Sequence, residues 1–390
     1  MSSLKLSMFE EIRTVKARQM LDSRSLGFSQ IRLLPKNTGM RPITNLRRRT
    51  TRLQNGTVSL SRSINSIMAP VFNILDYKRR KQPSLIGSAL FSVGEMFPKI
   101  KSYARILDER DASRPFLYFA KADAKSCFDT IPQHEVCMLI KSIIAEDEYR
   151  IARHAEIKTS DTRTYGNANS SHSKLARKFV STARAATDFP SFDEVVGTES
   201  ARTTKNTVFV DSIVQTSLGK KKMLGLLDDH IKQNIIKIGK KFFRQKAGIP
   251  QGSVLSSLLC NYFYAELENE CLGFLRDDES LLLRLIDDFL LITTNQSHAQ
   301  KFLQIMHNGV KYYGIEVNPT KSLANFRISI NGTQVAQLRG RKAFPYCGNM
   351  IDTKTLEITK DRDRRKATGR TFPTLTPKVI AEVLQSWQIR

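Results

Sequence analysis

The sequence predicts an α+β chain in which a sheet of apolar strands is flanked by helices. Three observations carry this. Phe116 to Ala122 is an apolar run of strand length. Leu281 to Ile286 and Phe289 to Thr293 are two more, separated only by Asp287-Asp288, a spacing that pairs them as a hairpin. Between these runs and ahead of them, apolar residues recur at helical spacing: Ile64, Ile67, Met68, Val71, Ile74 and Leu75 form one stripe, and Leu255, Leu258, Leu259, Tyr262 and Phe263 form another.

Taken in order, residues 1–30 read as helix-like and mixed in charge. Leu33 to Ile43 is punctuated by Pro35, Gly39 and Pro42, and reads as two short strands around an Asn-Thr-Gly turn. Pro132 opens a helix running to about Ala145, because proline lacks an N–H that the first turn leaves unpaired anyway. Residues 147–240 are rich in Ser, Thr, Lys and Arg with only short apolar patches, and read as an insertion, part helix and part loop. A short strand from Phe242 leads to a turn at 247–253 and the second helical stripe. Ser297 to Tyr313 is helical, short strands and turns fill the span to Leu356, and a basic tail follows Arg362.

Composition narrows the function. The chain has 390 residues with 62 Lys and Arg against 37 Asp and Glu, a formal charge of +25. At 41% apolar it is not a disordered basic tail. No run reaches the roughly 18–20 apolar residues of a membrane span, and Met1 to Arg13 lacks an apolar signal core. Cys127, Cys137, Cys260, Cys271 and Cys347 are odd in number and scattered, which argues for a reducing compartment without disulfides or a zinc finger. The charge excess points to a polyanion, most simply nucleic acid.

Against that background a small acidic island stands out. Asp287-Asp288 alone fits a solvated hairpin tip, since Asp is a common turn residue. Asp123, at the end of the 116–122 strand, and Asp129 six residues on shift the balance. Three carboxylates at strand ends suit Mg²⁺, a hard cation that also binds substrate phosphates. Two such ions about 3.5–4 Å apart clamp the attacking and leaving oxygens of an in-line phosphoryl displacement.

These residues carry a family resemblance. Lys121 to Pro132, containing Asp123, Phe128 and Asp129, resembles the first palm motif of reverse transcriptases. Gly248 to Cys260 resembles the next palm motif, and Leu283 to Thr293 the paired catalytic aspartates. The pattern is most similar to the telomerase reverse transcriptases. The aspartates are followed by Phe-Leu-Leu-Ile-Thr, and Phe344 to Glu357 resembles the telomerase primer grip. The long stretch between Asp123 and Gly252 leaves room for the fingers insertion of that family.

The resemblance implies a right-hand polymerase with fingers and palm subdomains and an antiparallel palm sheet flanked by helices. It assigns 15–357 to the reverse transcriptase domain. Within the chain, 1–115 is the N-terminal helix and fingers, 116–146 the first part of the palm and 147–240 the insertion. Residues 241–357 are the second part of the palm with the primer grip, and 358–390 a basic tail without a thumb. It further implies RNA-directed DNA synthesis from dNTPs at chromosome 3′ ends in the nucleus. The implied partners are a telomerase template RNA and a single-stranded telomeric primer, with two Mg²⁺ ions and no membrane. Two alternatives stay open: a retroelement-type reverse transcriptase, and a truncated, non-catalytic nucleic-acid-binding fragment.

By the same resemblance Asp123, Asp287 and Asp288 form the metal-binding catalytic triad, and Asp129 either joins them or orients the loop. Phe128 takes the place of an aromatic gate that collides with a ribose 2′-hydroxyl. Lys36 and Arg41 reach the incoming triphosphate, a point charge and a planar fork respectively. Gln251 and Gly252 contact the nucleotide or base pair, glycine permitting close backbone approach. Lys321 protonates the pyrophosphate leaving group or is a plain surface lysine. Cys347 and Gly348 form the primer-grip turn. Basic clusters at 47–49, 78–81 and 220–222 line a nucleic-acid path or are solvated basic faces; the 78–81 run also resembles a nuclear import signal.

Overall fold

The computed structural model describes residues 8–35, 40–54, 57–110, 115–159, 175–188, 191–195, 206–317, 319–338 and 342–362. The first unit of the chain contributes β1 (Phe9–Ile12), α1 (Thr14–Asp22), β2 (Ser29–Pro35), β3 (Met40–Thr44) and a hairpin of β4 (Thr51–Gln54) and β5 (Thr57–Leu60). Helices α2 (Ile64–Lys81) and α3 (Met96–Arg110) lead to β6 (Tyr118–Asp123) and α4 (Gln133–Ile143). Three long strands follow, β7 (Glu148–Thr159), β8 (Leu175–Ala185) and β9 (Thr207–Gly219), then α5 (Lys220–Ile231), β10 (Ile235–Ile238) and β11 (Lys241–Gln245). The last part holds α6 (Ser256–Cys271), β12 (Ser280–Leu285), β13 (Asp288–Thr293) and α7 (Gln296–Asn308). Seven short strands close it: β14 (Leu323–Ala324), β15 (Ser329–Ile330), β16 (Thr333–Gln334), β17 (Ala336–Gln337), β18 (Ala343–Tyr346), β19 (Asn349–Asp352) and β20 (Ile358–Lys360).

The central sheet has the order β12-β13-β6-β14-β17. Both of its faces are covered. Ala120, Ala122, Phe289 and Leu291 pack with residues of α6 and α7, including Phe263 and Phe302. Phe119, Leu283, Leu290 and Ile292 pack with Ile100 and Leu107 of α3 and with Phe344 and Ile351 of the β18-β19-β20 sheet. A strand buried on two faces reads as a continuous apolar run rather than an alternating one, which is why Phe289 to Ile292 shows no polar breaks. Each such side chain contributes roughly 1.5–3 kcal/mol on burial, so this sheet is the stable platform of the molecule.

The hairpin differs by one residue from its sequence-based placement. Leu285 pairs with Asp288, so the two-residue loop is Ile286-Asp287, with Ile286 at φ +60°, and Asp288 is the first residue of β13. The inward set of β13 decides this. A one-residue slip would turn Phe289 and Leu291 away from α6 and Leu290 and Ile292 away from α3.

A second five-stranded sheet, β1-β11-β10-β2-β3, joins the start of the chain to residues 235–245. The described residues of 147–240 are not the helix-and-loop segment expected. They form the antiparallel sheet β8-β7-β9, followed by α5 and by β10 of the second sheet. Tyr149, Ile151, Ala183 and Leu218 fasten that sheet into the main core, where α2 lies. Small alanines do part of the work of larger apolar residues there, so the period-2 pattern is faint in the sequence.

Candidate active site

Two groups of side chains form around the end of the central sheet. In the first, Asp123 closes β6 directly opposite Asp288 on β13, and the Asp287 carbonyl accepts from the Ala124 N–H at 2.9 Å. Register alone thus brings two carboxylates face to face, with the third in the adjoining turn. Burial pushes the Asp287 carboxyl up to about 6, and the neighbouring charges of Asp288 and Asp123 push the same way. Burial also raises the Asp288 carboxyl, against the pull of Lys121.

Two ammonium groups answer this charge. Lys321 Nζ lies 2.8 Å from Asp123 Oδ1, and Lys121 Nζ lies 3.6 Å from Asp288 Oδ1. From the far side the β18-β19-β20 sheet clips onto the hairpin. The buried Tyr346 hydroxyl accepts from the Leu285 N–H at 3.2 Å and donates to the Asp288 carbonyl at 2.9 Å. Cys347 and Gly348, at φ +47° and +79°, form the two-residue turn between β18 and β19, the left-handed pair that a type I′ hairpin requires. That turn sets the Cys347 thiol 3.8 Å from Asp288 Oδ2, where burial and the carboxylate push its pKa up to about 12. It is a packed thiol rather than a nucleophile.

The second group surrounds the Gln251-Gly252 turn. The Gln251 side-chain amide donates to Asp129 Oδ1 at 2.7 Å, so in this state it is held by the protein. The Gln251 carbonyl accepts from both the N–H and the hydroxyl of Thr44, the last residue of β3, at 2.8 and 2.5 Å. Asn65 of α2 donates to the Gly252 carbonyl at 3.1 Å and accepts from the Val254 N–H at 3.2 Å. The Ser253 hydroxyl meets His230 Nε2 of α5 at 2.8 Å. Burial holds that imidazole down at about 4, so it is neutral around pH 7. Half-buried Phe128 sits in a single helical turn, Cys127–Thr130, whose Phe128 carbonyl accepts from the Ile249 N–H at 2.7 Å.

The structure therefore brings Asp123, Asp287, Asp288, Lys321, Cys347 and Gly348 to one place, and Phe128, Asp129, Gln251 and Gly252 to a second. Arg41 is exposed on β3, the strand that ends at Thr44. Lys36 lies outside the described residues. The basic run at 78–81 is not a free surface: Lys78 is buried against Glu146, and Arg79 and Arg80 both pair with Asp76. Sequence reasoning missed Lys121, Tyr346, Thr44, Asn65 and His230. Lys121 was findable, because two residues before Asp123 on a strand is the same face. Thr44, Asn65 and His230 carry no local signal.

The donor set fits divalent ions: three acidic side chains, Asp123 buried and Asp287 and Asp288 half-buried with their carboxyls shifted upward, in a chain of net charge +25. Among the described residues the tight trio with all ligand atoms within 4.8 Å is elsewhere, at Asp277, Glu279 and His298; the palm carboxylates are spread more widely. The raised Asp287 carboxyl has a pH consequence. It binds a proton in the folded state between about pH 4 and 6 where the unfolded chain does not, so its contribution to stability is lost as pH rises through 6. A cation offsets that loss but competes with the proton below pH 6. The rise in Tm on adding Mg²⁺ is accordingly expected to be larger at about pH 7.5 than at about pH 5.5. Equal rises in a thermal-shift titration at the two pH values would remove the carboxylates as its ligands.

A family model described as reverse transcriptase (RNA-dependent DNA polymerase) matches residues 191–348. The strand-end carboxylates on a largely antiparallel sheet flanked by helices agree with it, and the chain is similar to the reverse transcriptases in both fold and site. Relatives named telomerase reverse transcriptase cover more of the chain. That of Takifugu rubripes is 31% identical over 352 residues, 87% of this chain and 30% of the relative. Those of Rattus norvegicus and Euplotes aediculatus are 28% and 27% identical, over 85% and 78% of this chain and 29% and 31% of the relatives. Over most of its own length the chain is similar to the telomerase reverse transcriptases, and it spans about 30% of the length of the relatives it matches. The fold is that of solved telomerases. The apo telomerase of Candida tropicalis gives a TM-score of 0.61 at 19% identity, over 97% of this chain and 54% of that one. Telomerase of Candida albicans, solved with a TWJ fragment of telomeric RNA, gives 0.61 at 18% identity, over 99% and 53%. No helix among the described residues is long and apolar enough to cross a membrane.

Proposed function

We propose that this chain is the fingers-palm core of an RNA-directed DNA polymerase that extends chromosome 3′ ends in the nucleus, copying a telomerase RNA template onto a single-stranded telomeric primer with dNTPs. The observation that carries the reading is the Asp123–Asp288 cross-strand pair with half-buried Asp287 in the adjoining turn. Asp123, Asp287 and Asp288 would hold two divalent ions, Mg²⁺ for preference, which when bound lower the pKa of the primer 3′-hydroxyl and neutralise the triphosphate. The wider spread of the trio suits sharing between two ions rather than a single shell.

Lys321, drawn up to Asp123, is placed at the rim of this site with a proton for the leaving pyrophosphate. Arg41, on β3, would receive the triphosphate together with Lys36. The Cys347-Gly348 turn seats the primer end, its Tyr346 clip fixing that seat relative to Asp288. The Asp129–Gln251 contact holds the Gln251 amide beside Phe128 until a nucleotide takes it over. Phe128 closes the sugar side of the nucleotide and excludes a ribose 2′-hydroxyl. The exposed Arg47, Arg48 and Arg49 extend the phosphate-binding path.

The test is primer extension on an RNA template with dNTPs or NTPs across a Mg²⁺ titration. Metal-dependent incorporation of dNTPs supports the reading. Retention of the primer–template without incorporation at any metal concentration leaves a nucleic-acid-binding fragment instead. Long unrestricted copies on purified telomerase RNA, rather than short templated repeats, would identify a retroelement-type enzyme. In the same assay Phe128→Ala is expected to lower the preference for dNTP over NTP by about tenfold or more, since it removes a steric wall. An unchanged ratio would return Phe128 to the core.

A further inference from the structure

The aspartate hairpin carries one charged side chain for which the chemistry above has no use. Arg284 lies on β12, three residues before Asp287, and is fully buried. Its side chain points to the face of the sheet opposite Asp123, among the rings of Tyr264 and Phe289, each with its centroid 5.7 Å from the guanidinium carbon. Removing a guanidinium from water is costly unless every donor is met.

Here the fork is met from two separate elements. Nε donates to Glu268 Oε1 at 2.5 Å, and Nη1 donates to Asn261 Oδ1 at 2.8 Å, both on α6. Nη2 donates to the Ile86 carbonyl at 3.1 Å, in the segment between α2 and α3. Glu268 is completed from that same segment, accepting the Ser88 hydroxyl and the Ser88 N–H, each at 2.7 Å. The Arg284 backbone is bound there as well, its N–H to the Ser88 carbonyl at 3.1 Å and its carbonyl to the Leu90 N–H at 2.7 Å. Gly87, at φ +54°, lets Glu268 in: a Cβ there would lie 2.1 Å from Glu268 Oε2.

The placement of these partners matters more than their number. Helix α6 starts just after the Gln251-Gly252 turn, and β12 ends at the Ile286-Asp287 turn. Arg284 is thus the polar tie between the helix that follows one site group and the strand that leads into the other. Well-packed apolar residues could supply stability at such a place; a buried ion pair supplies a unique register. We propose that Arg284 is a positioning residue: by locking β12 to α6 and to residues 86–90, it sets where Asp287 and Asp288 stand relative to Asp123. This rests on the reading of those carboxylates as the metal site. Lysine cannot replace it, because a single ammonium cannot bridge Glu268, Asn261 and Ile86 as the planar fork does.

The test uses the full chain and two variants, Arg284→Lys and the double variant Arg284→Met with Glu268→Leu, which exchanges the ion pair for apolar side chains of similar volume. Three quantities are measured: Mn²⁺ binding by electron paramagnetic resonance, amide hydrogen exchange in peptides spanning 280–293, and kcat and KM for dNTP. Outer partners of metal ligands typically affect affinity or activity by about 10–100-fold. Both variants are expected to melt cooperatively, to bind Mn²⁺ about tenfold more weakly and to exchange faster at the hairpin. Their kcat is expected to fall by about tenfold with KM for dNTP little changed.

Parent-like Mn²⁺ affinity and hairpin exchange in either folded variant would overturn the proposal. So would loss of cooperative folding in both, which assigns Arg284 a structural role only. If the parent binds Mn²⁺ but extends no primer while the variants bind more weakly, the positioning role stands and the polymerase reading falls.

Discussion

Asp287→Ala is expected to abolish nucleotide incorporation, by about a thousandfold or more, while leaving primer–template affinity within about twofold of the parent. The same variant is expected to melt no earlier than the parent in the absence of divalent metal. Both expectations come from one fact. Burial and the adjacent carboxylates push the Asp287 carboxyl up to about 6, so at neutral pH its charge is held in the fold at a cost. A group kept under such strain contributes through what it binds, and deleting it relieves repulsion with Asp288 and Asp123. The turn itself survives, because the bond to the Ala124 N–H is made by the main-chain carbonyl of residue 287. Extension assays paired with thermal melts in EDTA check this. Residual incorporation above a no-enzyme control, or a clear drop in Tm, would sink the assignment.

Gly252→Ala is expected to lower kcat/KM for dNTP by about a hundredfold. Gly252 sits at φ +107°, and a Cβ there would lie 2.4 Å from the Thr44 carbonyl oxygen. That oxygen is backbone and cannot step aside alone. Thr44 is tied to the Gln251 carbonyl through two hydrogen bonds, so the added methyl pushes the end of β3 off the palm and carries Arg41 with it. Backbone strain at a positive φ costs about 1–3 kcal/mol whatever the surroundings, and a control separates that from the clash. Gly332, at φ +76°, has open space where its Cβ would go. Gly332→Ala is expected to lower stability by about 1 kcal/mol and leave KM unchanged. If the two variants behave alike in melts and in dNTP titrations, the joint between β3 and the Gln251-Gly252 turn has no part in nucleotide use.

Much of the site was legible before any coordinates. The 116–122 strand, the 281–293 hairpin and the helical stripes are local periodicities, and local periodicity survives without knowledge of the neighbours. The acidic residues stood out because they interrupt apolar runs in a strongly basic chain. Besides the 147–240 segment, two readings needed revision. The aspartates were placed together at the hairpin tip, whereas Asp288 is a strand residue opposite Asp123. Lys78 to Lys81 read as a free basic cluster, whereas Lys78, Arg79 and Arg80 are engaged by Glu146 and Asp76. Asp76 lies on the same helix at i,i+3 and i,i+4 and was visible in the sequence; Glu146 was not.

By itself the amino-acid sequence determined the α+β class, the 116–122 strand, the 281–293 hairpin and the two helical stripes, and it singled out the three aspartates as candidates, because strand and helix periods and turn chemistry are properties of neighbouring residues. Only the tertiary structure decided that Lys121 and Lys321 face those carboxylates, that Tyr346 clips the hairpin and that residues 147–219 hold a three-stranded sheet. It alone brought Thr44, Asn65 and His230 to a single turn and buried Arg284 beneath the aspartates. Each of these joins residues far apart in the chain, and such contacts depend on how packed layers meet rather than on any local pattern.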